Sequence, residues 1–250
     1  MKIDIKLAKK EHYKLDGSFH QGYMNVFDFK STREFIASLR DAPISHKLQI
    51  YEGILIKEQY TPKKSIFTPD KKVIGDDTYK VAVLSCDTSI GCINRCTICA
   101  LNNKCYADEV RPSNLKYSMA RAIYFNKYDI DKIVSDLKEY GADVVRLNEA
   151  GDFTTSEQVE KVISLAKRMP NVLFYGYTKS EFARIRFEEV FNEVDNLVIH
   201  DSLGISKILP HFVTIKSKND LQNGYHLCKG KCRICKACYD KHINKDCVEH

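Results

Sequence analysis

The sequence predicts an α/β fold, a partial (β/α) barrel-like structure built on a parallel sheet. From residue 79 onward, short apolar runs alternate with amphipathic stretches of about a dozen residues, a pattern typical of βα units. Such runs are too few here to close an eight-stranded barrel. Strands are predicted at 79–85, 142–148, 171–178, 196–200 and 211–217, with helices at 129–141, 154–170 and 180–191.

The βα core (79–217) lies between two parts of different character, a mixed N-terminal extension (1–78) and a C-terminal cysteine-rich segment (218–250). In the extension, alternating apolar residues predict strands and a capping box predicts a helix. A stretch rich in Pro, Lys and Asp indicates a connecting loop. These elements are strands at 2–7 and 47–56, a helix at 31–43 and a loop at 61–78.

The composition, with 44% hydrophobic and 29% charged residues, is that of an ordinary soluble protein. No stretch approaches the roughly 18–20 apolar residues of a membrane helix, and the start MKIDIKLAKK lacks the apolar core of a signal peptide. We therefore expect a cytoplasmic protein with no membrane partner, in which thiols stay reduced. Its ten cysteines are then better explained as metal or cluster ligands than as disulfides. The net charge of +6 fits either a solvated basic surface or an anionic partner.

Three cysteines in a tight loop follow the first core strand: Cys92, Cys96 and Cys99, with the spacing Cys-x3-Cys-x2-Cys. A structural zinc site usually takes two short cysteine knuckles separated by a spacer, and neither Cys86 nor Cys105 completes a common pair. Three thiolates can instead each hold one iron of a four-iron cubane, which leaves the fourth iron open for a substrate or cofactor. The spacing therefore favours an iron–sulfur (4Fe-4S) cluster.

Polar residues follow each core strand, where parallel α/β proteins bind their ligands. Asp152 and Asp201 are the catalytic candidates, which would contact cofactor, substrate or a proton in transit. The structural alternative is that each caps a following helix. Lys179 is either a ligand for a carboxylate or phosphate, or a solvated loop residue. For His200, a buried and hydrogen-bonded state is favoured over catalysis.

The Cys92–Cys99 loop, placed after the first strand of a βα barrel, resembles the signature of the radical S-adenosyl-L-methionine (SAM) superfamily. The resemblance implies that the open iron binds SAM, and that an external one-electron donor triggers cleavage to a 5′-deoxyadenosyl radical. The stretch NEAGDF stands where that superfamily carries a glycine-rich acidic motif, so Glu149, Gly151 and Asp152 are implied to lie near the methionine end of SAM. The chain departs from the superfamily in lacking the double glycine and in carrying Ile98 before the third cysteine.

A second resemblance covers more of the chain. The motifs SIFTPDKK, GCINRCTICALNNKCYA, LNEAGDFTT and FYGYTKS occur in this order and are followed by a cysteine cluster. Together they resemble the gene-product-88-like family of phage-encoded proteins, roughly over residues 65–240. This resemblance implies a phage or mobile-element setting and no particular reaction. Cys105 belongs to this pattern but lies outside the three-cysteine signature.

The C-terminal cluster places Cys228, Cys232, Cys235 and Cys238 within eleven residues. The last three resemble the Cys-x2-Cys-x2-Cys run of bacterial ferredoxins, in which adjacent cysteines hold one 4Fe-4S cluster. Cys228 or Cys247 would be the fourth ligand, and zinc is the alternative metal because soft thiolates suit both. A cluster with four thiolates has no open iron, so we expect it to serve electron relay, substrate anchoring or fold support.

Three functions are consistent with these features. The first is a radical SAM-type enzyme with two 4Fe-4S clusters, SAM, and an unknown substrate for which a nucleobase or nucleotide is a reasonable class. The second is a zinc-containing barrel enzyme that exchanges bases in nucleic acid, with Asp152 and Asp201 as nucleophile and base. The third is a non-enzymatic nucleic-acid-binding module with two structural metal sites. The identity of the metal separates the first from the other two.

Overall fold

A computed structural model of the chain describes residues 12–14, 23–25, 43–57, 60–67, 72–74, 77–86, 118–149, 151–215, 217–228 and 235–248. The N-terminal part contains two antiparallel pairs, β1 (His12–Lys14) with β2 (Tyr23–Asn25) and β3 (Lys72–Ile74) with β4 (Asp77–Tyr79). Between these pairs lie the helices α1 (Ile44–Lys57) and α2 (Lys63–Ile66). The strand predicted at 2–7 and most of the helix predicted at 31–43 lie outside the described residues.

Two predictions for the N-terminal part are wrong. Residues 47–56 form most of helix α1 rather than a strand. The buried side chains of Lys47, Ile50, Tyr51 and Leu55 recur at helical spacing, and this period decides the conformation once the segment packs. The segment 61–78 is also more than a connecting loop, because it contains α2, β3 and the first two residues of β4.

The centre of the fold is a parallel sheet of four strands in chain order. These are β5 (Val81–Leu84), β6 (Val144–Leu147), β7 (Leu173–Thr178) and β8 (Leu197–Asp201). Every residue of β5 and β8 is buried, as expected for a parallel sheet covered on both faces. The predicted α/β class with a parallel sheet is confirmed, whereas closure toward a barrel stays a prediction.

Helices connect these strands. Residues 118–127 form helix α3, which is followed by α4 (Ile130–Tyr140), α5 (Ser156–Arg168) and α6 (Glu181–Glu189). Asp129 caps α4 by accepting a hydrogen bond from the Lys132 backbone N–H, and Gly141 ends it in the left-handed region at φ 69°. The predicted helices at 129–141, 154–170 and 180–191 are therefore confirmed within a few residues at each end.

The two faces of the parallel sheet have different coverings. One face packs against the helices through Ala82, Val145, Phe174 and Ile199, which belong to the main hydrophobic core. The opposite face, which we call the inner face, carries Val81, Val144, Tyr175 and Val198 and packs against Cys238 and Tyr239 of the C-terminal segment. The C-terminal cysteine-rich segment thus covers the inner face of the sheet.

The fifth predicted core strand, at 211–217, is not part of the four-stranded parallel sheet. Residues of β9 (Phe212–Ile215) instead pair with β11 (Lys245–Val248), which in turn pairs with β10 (His226–Cys228). Among the described residues, one isolated bridge, between Asp201 and His211, links β8 to the residue that precedes β9. No helix lies between β8 and β9 in the described residues, so the alternation of strand and helix ends at β8. Within the described part of the chain, no helix is long and apolar enough to cross a membrane.

Candidate functional site

The carboxyl ends of the four parallel strands meet at one edge of the sheet, which we call the rim. Strand β5 is followed by Ser85 and Cys86, β6 by Asn148 and Glu149, and β7 by Lys179. Strand β8 ends at Asp201, whose neighbour Ser202 donates its backbone N–H to the carbonyl of Thr178 (2.9 Å). The structure therefore brings the predicted residues after β6, β7 and β8 together at one edge.

Asp152 joins the loop after β6 to the end of β7. One carboxylate oxygen accepts the Thr178 hydroxyl and the Phe153 backbone N–H, both at 2.8 Å, and the other accepts the Lys179 backbone N–H at 2.6 Å. Burial raises the pKa of Asp152, and these hydrogen bonds oppose that rise. The cap of helix α5 is Thr155 in a capping box with Gln158. Asp152 therefore positions the rim and does not cap the following helix.

Glu149 lies between two arginines. Its carboxylate pairs with Arg121 of helix α3 and, at 3.1 Å, with Arg146 of β6. Its backbone N–H donates to the Ser85 hydroxyl at 2.8 Å, which ties the loop after β6 to the end of β5. Any role of Glu149 toward a cofactor would therefore involve these two guanidinium groups, which the sequence did not point to.

Asn148 connects the ends of β5 and β6 in an unusual backbone conformation. At φ 48° it occupies the left-handed region, which asparagine tolerates better than most residues. Its backbone N–H donates to the Leu84 carbonyl at 2.9 Å, and its side-chain oxygen accepts the Cys86 N–H at 3.1 Å. Its buried amide nitrogen Nδ2 has no hydrogen-bond partner among the described residues. This nitrogen is a donor at the rim, next to the point where the cysteine loop begins.

Asp201 shapes the loop that follows β8. Its side chain is fully buried, and its two oxygens accept three backbone N–H groups, from Leu203 (2.9 Å), Ile205 (2.6 Å) and Ser206 (2.7 Å). No helix follows β8, so the predicted helix-capping role becomes a loop-capping role. The contacts of Asp201 fit this structural role better than the predicted catalytic one.

Gly151 and Lys179, which the sequence predicts to bind a cofactor, both lie next to Asp152. Gly151 takes a positive φ of 86° in the turn that leads to Asp152. Lys179 contributes its backbone N–H to Asp152, and its partly buried side chain follows β7 at the rim. The structure brings Gly151, Asp152 and Lys179 together, whereas their predicted contacts with a cofactor stay a prediction.

The three cysteines of the first cluster, Cys92, Cys96 and Cys99, lie outside the described residues, as does Cys105. The described chain reaches Cys86, whose side chain is buried in the core on the helix side of the sheet. Cys86 therefore does not face the rim. The donor set of the predicted cluster, three thiols within eight residues of the sequence, is chemically suited to iron–sulfur ligation.

Of the C-terminal cysteines, Cys238 packs against the inner face of the sheet. Cys238 Sγ accepts the Tyr177 hydroxyl at 3.0 Å, and Cys235 Sγ lies 3.4 Å from His226 Nε2. Cys228 and Cys247 are directly paired in the register of β10 and β11. Among the described residues, no three Cys, His, Asp or Glu side chains converge as a metal site, and Cys232 of the predicted ligand run lies outside them.

His200 and Lys245 form a buried pair beneath these cysteines. His200 stacks on Tyr177, and its Nε2 lies 3.1 Å from the Cys238 carbonyl oxygen. Lys245 Nζ lies 3.2 Å from His200 Nδ1 and 3.1 Å from His200 Nε2. Burial, followed by the charge of Lys245, lowers the pKa of His200 to about 3, so the imidazole is neutral. The expected buried and hydrogen-bonded state of His200 is confirmed.

A four-stranded parallel α/β sheet with a polar rim, whose inner face packs against Cys238 and Tyr239 of the C-terminal segment, defines the structural class of this protein. The sequence of residues 62–214, more than half of the 250-residue chain, matches the family described as gene product 88. The chain therefore belongs to the gene product 88 family, a phage-related family, and the second resemblance drawn from the sequence is confirmed. No curated protein and no solved structure matches the chain.

Sequence reasoning missed several residues that build the rim. Arg121 lies on helix α3, whose nearly continuous apolar run hides the helical period. Arg146 lies within a strand, and Asn148 and Ser85 act through hydrogen bonds that pattern alone does not reveal. Lys245 was missed because a lysine is expected at the surface and this one is 1% exposed.

Proposed function

We propose that this chain is an iron–sulfur enzyme of the radical SAM type, with Cys92, Cys96 and Cys99 as ligands of the catalytic cluster. One observation carries the proposal. The chain leaves β5, the first strand of the four-stranded parallel sheet, at the edge where the segments after β6, β7 and β8 converge, and the three cysteines come next in the sequence. Ligands of parallel α/β proteins bind at this edge.

The chemistry of the donor set supports this assignment. Three cysteines with no histidine or carboxylate between them provide soft thiolate ligands, and the spacing leaves one position of a cubane open. Cys92, Cys96 and Cys99 would hold such a cluster, and when bound and reduced it would supply the one-electron chemistry that cleaves SAM and leads to hydrogen-atom abstraction. An external one-electron donor and an unidentified substrate complete the proposal, and the phage-related family makes a nucleobase or nucleotide the substrate class to test.

The described residues contribute a rigid rim. Asp152 fixes the loop after β6 to the end of β7, and Glu149 is held between Arg121 and Arg146. The Asn148 amide offers a buried donor at the start of the cysteine loop. A carboxylate or carbonyl oxygen from a bound ligand, or from the cysteine loop itself, would satisfy this donor.

The base-exchange alternative is supported less well. It requires Asp152 and Asp201 as nucleophile and base, whereas Asp201 is fully buried and accepts three backbone hydrogen bonds. Such a carboxylate cannot approach a nucleobase without disrupting the loop that it holds. Both oxygens of Asp152 are also engaged, with the ends of β6 and β7.

The test is metal analysis and electron paramagnetic resonance of anaerobically purified protein, reduced with dithionite, with and without SAM. We expect about eight irons per chain if both clusters are loaded, one signal that changes on addition of SAM, and release of 5′-deoxyadenosine. The variant Cys96→Ala should lose the SAM-sensitive signal, while Cys86→Ala, which alters a thiol buried on the helix side, should keep it. Zinc as the dominant metal, with no reduced-cluster signal, would overturn the proposal.

A further inference from the structure

Two arginine side chains converge on one carboxylate at the rim. Arg121 reaches Glu149 from helix α3, and Arg146 reaches it from β6 at 3.1 Å. Arg121 contacts Oε2 and Arg146 contacts Oε1, so each guanidinium group binds a different oxygen of the carboxylate. Guanidinium groups suit the oxygens of carboxylates and of phosphate groups alike. The two arginines therefore form an oxyanion site, in which the Glu149 side chain supplies the anion.

The Glu149 carboxylate is the most exposed member of this cluster. Its side chain is 39% exposed, whereas that of Arg121 is 17% exposed and that of Arg146 is 26% exposed. The two cationic groups thus lie deeper than the carboxylate that covers them. An anion that arrives from solvent can reach them when the Glu149 side chain rotates away.

The contacts around the cluster hold its framework in place. Arg121 Nε donates to the Ser65 carbonyl at 2.8 Å, and the Glu149 backbone N–H donates to the Ser85 hydroxyl at 2.8 Å. Arg146 leaves β6 on the same face as Val144, because alternate residues of a strand share a face. Rotation of the Glu149 side chain would therefore leave the backbone of the rim and the Arg121 guanidinium group where they are.

The chemistry of the cluster favours a phosphate monoester as the incoming anion. A phosphate monoester carries about 1.5 to 2 negative charges at neutral pH and has three terminal oxygens, which suit two guanidinium groups better than a single carboxylate does. The neighbouring Asn148 adds a neutral donor, because its buried amide nitrogen has no hydrogen-bond partner among the described residues. Buried donors normally have an acceptor, and a third phosphate oxygen would provide one.

We propose that Arg121 and Arg146 bind the phosphate group of a phosphate-monoester ligand, and that the Glu149 carboxylate occupies this site when the ligand is absent. The inference deepens the proposed function and rests on it for the reaction that follows binding. Within that function, the substrate is a nucleotide rather than a nucleobase or a nucleoside. The phosphate site is built from side chains of the chain alone, so binding can be measured whether or not a cluster is loaded.

The first experiment is isothermal titration calorimetry of the full chain with nucleoside 5′-monophosphates, the matching nucleosides and inorganic phosphate. We expect at least one nucleotide to bind about tenfold or more tightly than its nucleoside, and inorganic phosphate to compete with it. Equal affinity for nucleotides and nucleosides, or no binding of either, would overturn the inference.

The second experiment uses two rim variants that should act in opposite directions. Arg146→Met removes a ligand of the phosphate and should weaken nucleotide binding by about tenfold or more. Glu149→Gln removes the competing carboxylate and should strengthen binding. If both variants weaken binding, or if neither changes it, the cluster has only a structural role and the inference is wrong. Circular dichroism checks the folding of each variant, and Arg121→Met replaces Arg146→Met if the latter does not fold.

The matched control is an ion pair of similar burial on helix α6. Arg184 and Glu188 lie 2.8 Å apart and are 15% and 18% exposed. Arg184→Met and Glu188→Gln remove the same charges as the rim variants but at a distance from the ends of β5 and β6. We expect both control variants to bind nucleotides like the unaltered chain, and a change equal to that of the rim variants would overturn the inference.

SAM provides the last comparison, because its methionine carboxylate is also an oxyanion. In Arg146→Met, the SAM-sensitive paramagnetic signal should persist while nucleotide binding is weakened. Loss of that signal with nucleotide binding intact would assign the arginines to SAM and overturn the inference. Failure of the proposed radical function is distinguishable from both, since it would appear as no SAM-sensitive signal in an unaltered chain that still binds nucleotides.

Discussion

Asp136 of helix α4 is the centre of a buried polar network, and we predict that Asp136→Asn weakens the whole helical layer. Its side chain is 1% exposed, accepts the Tyr124 hydroxyl at 2.8 Å, and pairs with Lys132 at 2.7 Å and Lys63 at 2.8 Å. These donors belong to α2, α3 and α4. One carboxylate therefore joins three helices on the helix side of the parallel sheet.

The magnitude follows from the contacts that asparagine loses. Its amide oxygen can still accept the Tyr124 hydroxyl, but without the extra strength of a charged acceptor, a loss of about 1 kcal/mol. The pair with Lys132, whose side chain is 51% exposed, contributes roughly 0.5 kcal/mol after solvent screening. The amide NH2 group of asparagine replaces a carboxylate oxygen that accepted hydrogen bonds from lysine side chains, and as a donor it cannot accept them. We therefore expect Asp136→Asn to lower the free energy of unfolding by about 2 kcal/mol at neutral pH.

The same network predicts a pH dependence. Burial alone would raise the pKa of Asp136, but hydrogen bonds from Lys132, Lys63 and Tyr124 outweigh it and lower the pKa below 3.8. The contribution of Asp136 is therefore fully present above the unfolded value near pH 3.8 and is lost as pH falls through the lower folded value. The Asp136→Asn variant should lack this part of the acid destabilisation.

Urea unfolding followed by circular dichroism, at neutral pH and at pH values down to about 2.5, measures both effects. The control is Glu139→Gln on the same helix, whose carboxylate also meets Lys63 but is 70% exposed, and which should change stability little. The reasoning is refuted if Asp136→Asn and Glu139→Gln have equal effects at neutral pH. It is also refuted if the acid profile of Asp136→Asn matches that of the unaltered chain.

Three further predictions concern a strand of the parallel sheet, the loop after β8 and the start of helix α5. A methyl group on Gly176 would lie 2.8 Å from Leu147 Cβ, so Gly176→Ala should cost about 1–3 kcal/mol of stability in urea unfolding. Asp201→Ala should leave three backbone N–H groups without their acceptor, and hydrogen exchange of residues 203–206 should accelerate while that of β6 stays unchanged. Thr155→Ala, which removes the α5 cap, should cost about 1 kcal/mol by the same unfolding assay; an unchanged midpoint would contradict the capping role.

The sequence predicted the parallel sheet well because its signals are local. The helix at 129–141 carries its own start and stop signals in Asp129 and Gly141, and both act as caps in the structure. The rim could be located for the same reason, since strand order in βα units follows chain order. The residues Asp152 and Asp201 were correctly placed at this edge.

Their roles depended on contacts that no local pattern contains. Asp201 and the backbone it binds are close in sequence, yet only the turn after β8 shows that all three N–H groups point at one carboxylate. The prediction of a strand at 47–56 was wrong because, over so short a segment, the apolar residues fit the two-residue period of a strand as well as the 3.6-residue period of a helix. The segment packs as a helix. Lys245 lies far in the sequence from His200, and their meeting results from β11 folding across the inner face.

The conformation of Asn148 bears on where the chain can be engineered. Because its backbone and side chain hold both Leu84 and Cys86, the point at which the chain leaves β5 is set from β6. A change of length or sequence after Cys86 therefore leaves the direction of departure unaltered as long as Asn148 is kept. A new loop grafted between residue 87 and helix α3 should therefore leave the end of β5 and the sheet unchanged.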